Sequence, residues 1–300
     1  MAAWTTADIP PQTGRVAIVT GTGGLGYETA LELARTGATV VLAGRNAAKG
    51  QESADKIKAQ VKDAKVTFET LDLANLASVA DFAGRMAAAH PALDLLINNA
   101  GVMAPPKRQT TADGFELQFG TNHLGHFALT ARLLPRLRAA AAPRVINVAS
   151  SAANAGMINF FDPQSERRYS PWRAYAQSKL ANLLFTLELQ RRSVGGAWGL
   201  IACAAHPGYA RTELIANGPG ANPLSDLLAP IASQSAAAGA LPTLMAATAP
   251  DAKGGAYYGP IGVFGLKGAP GRAMIPLQGR DGAAAKRLWA VSEELTGVKV

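Results

Sequence analysis

The sequence predicts an α/β fold, a doubly wound parallel sheet with helices on both faces in three α/β/α layers. Two observations carry that prediction. Short apolar, β-branched runs alternate with longer segments of helical period, as parallel strands joined by helical crossovers do. The first such run, Arg15-Val-Ala-Ile-Val-Thr20, also meets Gly21-Thr-Gly-Gly-Leu-Gly26 directly, ahead of a segment that reads as a helix from Tyr27 to Thr36. Glycines at the first, third and sixth positions between a strand and a helix are a dinucleotide fingerprint. Gly21 permits the tight turn, Gly23 lets backbone approach a pyrophosphate, and Gly26 lets the helix pack close. Gly24 and Leu25 complete the turn, and the helix N-terminus offers its unpaired N–H groups to the phosphates.

The next strand, Thr39-Val-Val-Leu-Ala43, ends in Gly44-Arg45-Asn46, and no carboxylate lies between Glu32 and Glu52. An acidic residue about twenty positions past the glycines would bind the ribose 2′-hydroxyl of NAD. Arg45 instead suits a 2′-phosphate, because guanidinium matches phosphate geometry. NADP is therefore expected, with NAD as the lesser alternative.

A third strand, Val66 to Leu71, ends in Asp72-Leu73. Helix and strand recur as Leu76 to Ala88 and Leu93 to Ile97. The fourth strand stops at Asn98-Asn99-Ala100-Gly101, two amides and a glycine where open parallel sheets bind ligands. A long helix follows with Asn122 inside it. Asn is a poor helix-interior residue, so either a specific hydrogen-bonding duty or a satisfied packing role is expected. His123 and His126 stand one turn apart, but four histidines and one thiol make a metal site an unfavoured reading.

The fifth strand, Arg144 to Ser150, places hydroxyls at its end. Residues 160–172 are polar and aromatic with two prolines, and read as a loop. Then comes Tyr175-Ala-Gln-Ser-Lys179, opening a helix through Leu189. Tyr175, Lys179 and Asn182 fall on one side of it and Leu180, Leu183, Leu184 and Leu187 on another. An ammonium one turn from a phenol favours the phenolate, which would make a general acid/base of a group normally inert at neutral pH. A sixth strand, Gly199 to Ala205, leads into His206-Pro-Gly-Tyr-Ala-Arg-Thr212. Residues about 209–230 carry Gly, Pro and Asn and read as a lid. Further on, a helix broken near Pro242, a strand or turn at 254–260 and a terminal helix from Lys286 to Thr296 are expected.

Three hundred residues suit one large domain, and no repeat or linker divides residues 1–300. No run of eighteen apolar residues predicts a membrane span, and Met1 to Gly14 lacks a basic-then-apolar leader. The single cysteine, Cys203, fits a reducing, cytoplasmic setting. The formal charge of +8 comes from dispersed basic residues, so no nucleic-acid partner is expected.

Taken jointly from Gly14 to Thr212, these motifs resemble the short-chain dehydrogenase/reductase family. The likeness is greatest to its retinol-dehydrogenase-like, WW-domain-oxidoreductase-like and protochlorophyllide-reductase-like members. The resemblance implies that Tyr175 exchanges the proton at the substrate oxygen and Ser150, rather than Ser151, holds that oxygen. It implies that Lys179 grips the nicotinamide ribose and lowers the Tyr175 pKa, and that Asn122 anchors a proton-relay water. It places Asp72 and the Leu73 amide at the adenine, Asn98 to Gly101 along the cofactor, Pro207 and Gly208 beside it, and Thr212 on its carboxamide or phosphate. Two departures stand out. The glycine turn is one residue shorter than in most relatives, and the Ser-to-Tyr gap is longer than in many tetrameric ones, leaving monomer or oligomer open. No retinol-dehydrogenase-type membrane anchor is seen. The expected activity is hydride transfer between NADP(H) and a bulky apolar or aromatic carbonyl/alcohol pair, in the reductive direction.

Overall fold

A computed structural model describes residues 3–209 and 234–300. Eight strands form one sheet in the order β3-β2-β1-β4-β5-β6-β7-β8. These are β1 (Val16–Thr20), β2 (Thr39–Gly44), β3 (Val66–Thr70), β4 (Leu95–Asn98), β5 (Arg144–Val148), β6 (Ile201–Ala205), β7 (Tyr257–Pro260) and β8 (Pro270–Arg272). All neighbours pair in parallel except β7 and β8. The strand order reverses between β1 and β4, and the ends of those strands open a crevice where such sheets bind ligands.

The helices between strands are α1 (Gly24–Arg35), α2 (Ala47–Gln60) and α3 (Leu76–Ala89). Asn46 and Asn75 start α2 and α3 by accepting backbone N–H bonds at the N-cap. After β4 come a short α4 (Leu117–Phe119), a π-turn (Gly120–Leu124) and α5 (Gly125–Arg138). Beyond β5 lies α6 (Pro171–Gly195), then α7 (Ala236–Thr248) and α8 (Gly282–Thr296).

Alternation along β1 builds the two layers of core. Ala17 and Val19 pack with Leu31, Leu33, Ala240 and Leu244 on one face of the sheet. Ile18 faces the other way, among Phe82, Phe127, Leu133 and Phe185. Each strand buried on both faces reads as a continuous apolar run for this reason.

Several expected boundaries shift. The catalytic-type helix begins at Pro171, not Tyr175, because a proline at its first turn loses no hydrogen bond. The expected loop 160–172 therefore ends at Ser170. Its burial is also not one stripe: α6 is buried nearly all round from Ala174 to Thr186, sandwiched between the sheet and α8. The segment around Asn122 is not a uniform helix but two helices, α4 and α5, joined by a π-turn. Pro242 sits inside an unbroken α7, held by burial against α1 and β6. The antiparallel β8 has no expected counterpart. No helix among the described residues is long and apolar enough to cross a membrane.

Candidate active site

Thr20 ends β1, and the chain turns at Gly21 with φ +89 and again at Gly24 with φ +51, both left-handed. A Cβ on Gly26 would lie 2.1 Å from the Gly21 carbonyl oxygen and 2.8 Å from Asn99 Nδ2. That crowding is why the turn needs glycine there. Gly23 differs: a Cβ there would meet nothing within 4 Å. Gly23 is the N-cap of α1, so the first N–H groups of the helix face the same open side. Leu25 lies in the first turn of the helix.

The Asn98–Gly101 run divides its labour. Asn99 Nδ2 donates to the Thr20 carbonyl at 2.8 Å, and the Asn99 and Ala100 N–H groups both donate to Thr20 Oγ1, at 2.9 and 3.0 Å. These bonds clamp the run to the glycine turn. Gly101 backs onto the reactive centre, since a Cβ on it would sit 3.0 Å from Asn122 Oδ1 and 3.6 Å from Lys179 Nζ. Asn98 does not line the crevice as expected. Its side chain is 1% exposed and donates to Thr130 Oγ1 and Asn147 Oδ1. It is consumed in bracing β4 against β5 and α5.

Arg45 follows directly after β2 and is exposed at the crevice edge. Asp72 Oδ1 accepts the Ala74 N–H while its own N–H donates to Ser78 Oγ, so the carboxylate shapes its turn. Leu73 is buried, and its carbonyl packs so close to Gly125 that a Cβ there would lie 2.3 Å away.

At the end of β5, Ser150 caps a 3-10 turn (Ser151–Ala155) by accepting the Ala152 N–H. Its hydroxyl lies against the Tyr175 phenol. Ser151 lies within the turn, so Ser150 is the hydroxyl that meets the phenol. Lys179 Nζ lies 5.7 Å from the centre of the Tyr175 ring and donates to the Val148 carbonyl at 3.1 Å. Tyr175 is 6% and Lys179 4% exposed. Burial pushes the Tyr175 phenol up to about 12, with the Ser150 hydrogen bond pulling the other way. Burial also pushes the Lys179 amine down to about 8. This corrects the expectation that Lys179 holds the phenol low. Desolvation disfavours the charged form of both groups and is the leading cause of each shift.

Asn122 sits in the π-turn, fully buried. Its Oδ1 accepts the Val102 N–H at 2.8 Å, and its Nδ2 donates to the Val102 carbonyl and to Ser178 Oγ. The extra residue of the π-turn rotates Asn122 towards the Gly101–Val102 backbone, as such bulges do at functional sites. Its side chain thus joins the α6 layer to the end of the β4 run. Gly208 has φ +63, and the Pro207 carbonyl accepts from Gln234 Nε2 at 2.6 Å. Thr212 and most of the expected lid, 210–230, lie outside the described residues.

Two contributors carried no sequence signal. Tyr257 on β7 donates its phenol to the Ser150 carbonyl at 3.2 Å. Gln118 donates to Tyr169 Oη and to the Pro171 carbonyl, and accepts the Ala104 N–H, tying the 160–172 stretch to the start of α6. A tyrosine in a late Gly-Tyr-Tyr-Gly strand reads as core, and a lone glutamine reads as surface. Among the described residues, no three His, Cys, Asp or Glu side chains group to hold a metal.

The open backbone at Gly23, the helix N-terminus beside it and the ammonium behind Gly101 suit a dinucleotide lying across the crevice from phosphates to ring. Comparison with known proteins agrees. Residues 15–219 match the family model of short chain dehydrogenases. Retinol dehydrogenase 12 of Mus musculus is 42% identical over 289 residues, covering 95% of this chain and 87% of that one. Polyprenol dehydrogenase of Mus musculus is 41% identical over 302 residues, covering 96% and 86%. A crystal structure of an uncharacterized protein from Mycobacterium paratuberculosis superposes with a TM-score of 0.83 at 43% identity, covering 99% of each chain. A short chain dehydrogenase from Escherichia coli CFT073 complexed with NADPH gives a TM-score of 0.62 at 25% identity, covering 82% and 96%. The chain belongs to the short-chain dehydrogenase/reductase family, on its retinol-dehydrogenase-like side. It is an oxidoreductase acting on CH–OH/C=O groups.

Proposed function

We propose that the chain is an NADP(H)-dependent carbonyl reductase that also runs in reverse as an alcohol dehydrogenase, on bulky apolar or aromatic ketones and secondary alcohols. The observation that carries the proposal is the convergence of Ser150, Tyr175 and Lys179 behind Gly101. Gly21, Gly23, Gly24, Leu25 and Gly26 would cradle the pyrophosphate. Asp72 and Leu73 would meet the adenine, Asn99 to Gly101 the ribose and ring, and Arg45 the 2′-phosphate. Bound there, a reduced nicotinamide supplies the hydride.

The chain's own groups handle the oxygen and the proton. Ser150 donates to the carbonyl oxygen and fixes its position. A phenol held at about 12 keeps its proton at neutral pH, so Tyr175 is poised as an acid. It gives that proton to the oxygen as alkoxide character develops. The Lys179 ammonium, 5.7 Å from the ring, then stabilises the phenolate. Asn122 secures the Gly101–Val102 backbone beside them, and through it the path by which the proton is replaced.

Substrate size is read from the rim. Trp172 stands edge-on to Tyr175 at 6.1 Å and is 50% exposed, and Phe161 is 85% exposed nearby in sequence. Relatives named for retinol and polyprenol support an apolar substrate, and the NADPH-bound relative supports the phosphorylated cofactor. A panel of ketones and alcohols assayed with both cofactors tests the proposal. Bulky aromatic ketones should consume NADPH fastest. Turnover of small charged ketones alone, or a preference for NADH, would refute it.

A further inference from the structure

His126 is buried at 1% exposure and is not used by the chemistry above. Its Nδ1 lies 3.0 Å from the backbone carbonyl oxygen of Asn122, and its Nε2 lies 2.9 Å from Thr20 Oγ1. A carbonyl oxygen only accepts, so Nδ1 must carry the proton. The other end agrees. Thr20 Oγ1 already accepts the N–H groups of Asn99 and Ala100, which fills both of its lone pairs. Its single hydrogen therefore points to a bare Nε2, closer than its other acceptor, the Ile97 carbonyl at 3.3 Å. The ring is neutral, because burial, opposed by the Asn122 bond and aided by the Lys179 charge, pushes it down to about 4.

We propose that His126 is a positioning residue, locked as the Nδ1–H tautomer, that joins the cofactor-binding half of the site to the reactive half. One arm reaches the cofactor half through Thr20, which holds the Asn99–Ala100 backbone against the glycine turn. The other arm holds the Asn122 carbonyl within the π-turn, and so fixes the residue that grips Val102 and Ser178. The π-turn leaves helical bonding locally irregular, and an added donor steadies it. His123, on the same π-turn, is anchored separately through Nε2 to Ser292 Oγ of α8 at 2.8 Å. The two histidines of this segment thus hold the turn from opposite sides instead of sharing a metal.

The assignment rests on the proposed oxidoreductase chemistry only for its kinetic readout. Substitution can separate the arms, since an Asn amide reproduces the reach of Nδ1 and a Gln amide that of Nε2. His126→Asn should keep kcat within about twofold and weaken NADPH binding about tenfold, the scale of one buried hydrogen bond. His126→Gln should lower kcat about tenfold while NADPH affinity stays within about twofold. Parallel losses in both variants that track their melting temperatures would overturn the proposal. Nitrogen-15 spectra of the unaltered protein read the tautomer directly. A protonated Nδ1 with a bare Nε2 supports the lock, and a protonated Nε2 overturns it. If no ketone proves to be a substrate, the spectra and the NADPH titration of His126→Asn still decide.

Discussion

The floor and the rim of the crevice are made of opposite materials. On the floor, Tyr175, Lys179, Asn122, Ser178 and His126 are polar and buried, the phenol bonded to Ser150 and the others to backbone or to one another. At the rim, Trp172 is apolar, stands edge-on to Tyr175 and is 50% exposed. A buried polar group left without a partner is destabilising by one to a few kcal/mol, roughly, so the floor tolerates few arrangements. An exposed apolar side chain is under no such constraint. The floor therefore defines a reaction class, and the rim is free to define which molecules reach it.

Substitutions that treat the two regions differently sharpen the contrast. Tyr175→Phe on the floor should lower kcat by roughly 10²- to 10⁴-fold, the range of a positioned general acid, with NADPH affinity retained. Stopped-flow turnover and a fluorescence titration of the same sample would show both.

Lys179→Met should stabilise the cofactor-free chain at pH 7 by up to roughly 3 kcal/mol, at about 1.4 kcal/mol per pKa unit. The sign follows from the downward shift to about 8. Between the folded pKa and the unfolded value near 10.4, the unfolded chain binds the extra proton, so the parent gains stability as pH rises through that window. The advantage of the variant should shrink from pH 8 upward and be largely gone by about pH 10.5, as urea midpoints would record.

Arg45→Asp should move the NADP/NAD preference by roughly ten- to a hundredfold, the scale of a charged hydrogen bond. An unchanged ratio of kcat/KM would mean that the 2′-phosphate is read elsewhere. Tyr257→Phe removes one neutral bond to the Ser150 carbonyl and should lower kcat about two- to tenfold, with substrate KM unmoved. Trp172→Ala, at the rim, should do the reverse. It should raise KM for aromatic ketones a few-fold, in keeping with about 0.5–1.5 kcal/mol for an aromatic contact, and leave kcat nearly intact.

The same contrast governs what could be read from the sequence. Strands buried on both faces announce themselves as apolar runs, and the glycine turn does so because backbone crowding at Gly26 admits no other residue. Tyr175, Lys179 and Ser150 were legible only as a joint pattern, a Tyr-x-x-x-Lys helix following a strand that ends in hydroxyls, as in the family they resemble. The π-turn was not, because nothing in Gly120–Leu124 marks the inserted residue except a poorly helical Asn122. Asn98 and Asn99 look alike in sequence, yet strand alternation turns Asn98 under the sheet and Asn99 toward the glycines. Tyr257 meets Ser150 only because β7 lies beside β6, a long-range pairing with no local trace. The rise of the Tyr175 pKa needed its burial, which a spacing of four residues does not report.

The most direct test follows the hydrogen itself. NADPH carrying deuterium at the transferable C4 position should be mixed with an aromatic ketone and the enzyme, and the alcohol analysed by mass spectrometry. The proposed chemistry predicts one deuterium on the carbinol carbon for each NADPH consumed, with a proton from solvent on the oxygen. Alcohol without deuterium, or NADPH consumed without alcohol, would contradict it.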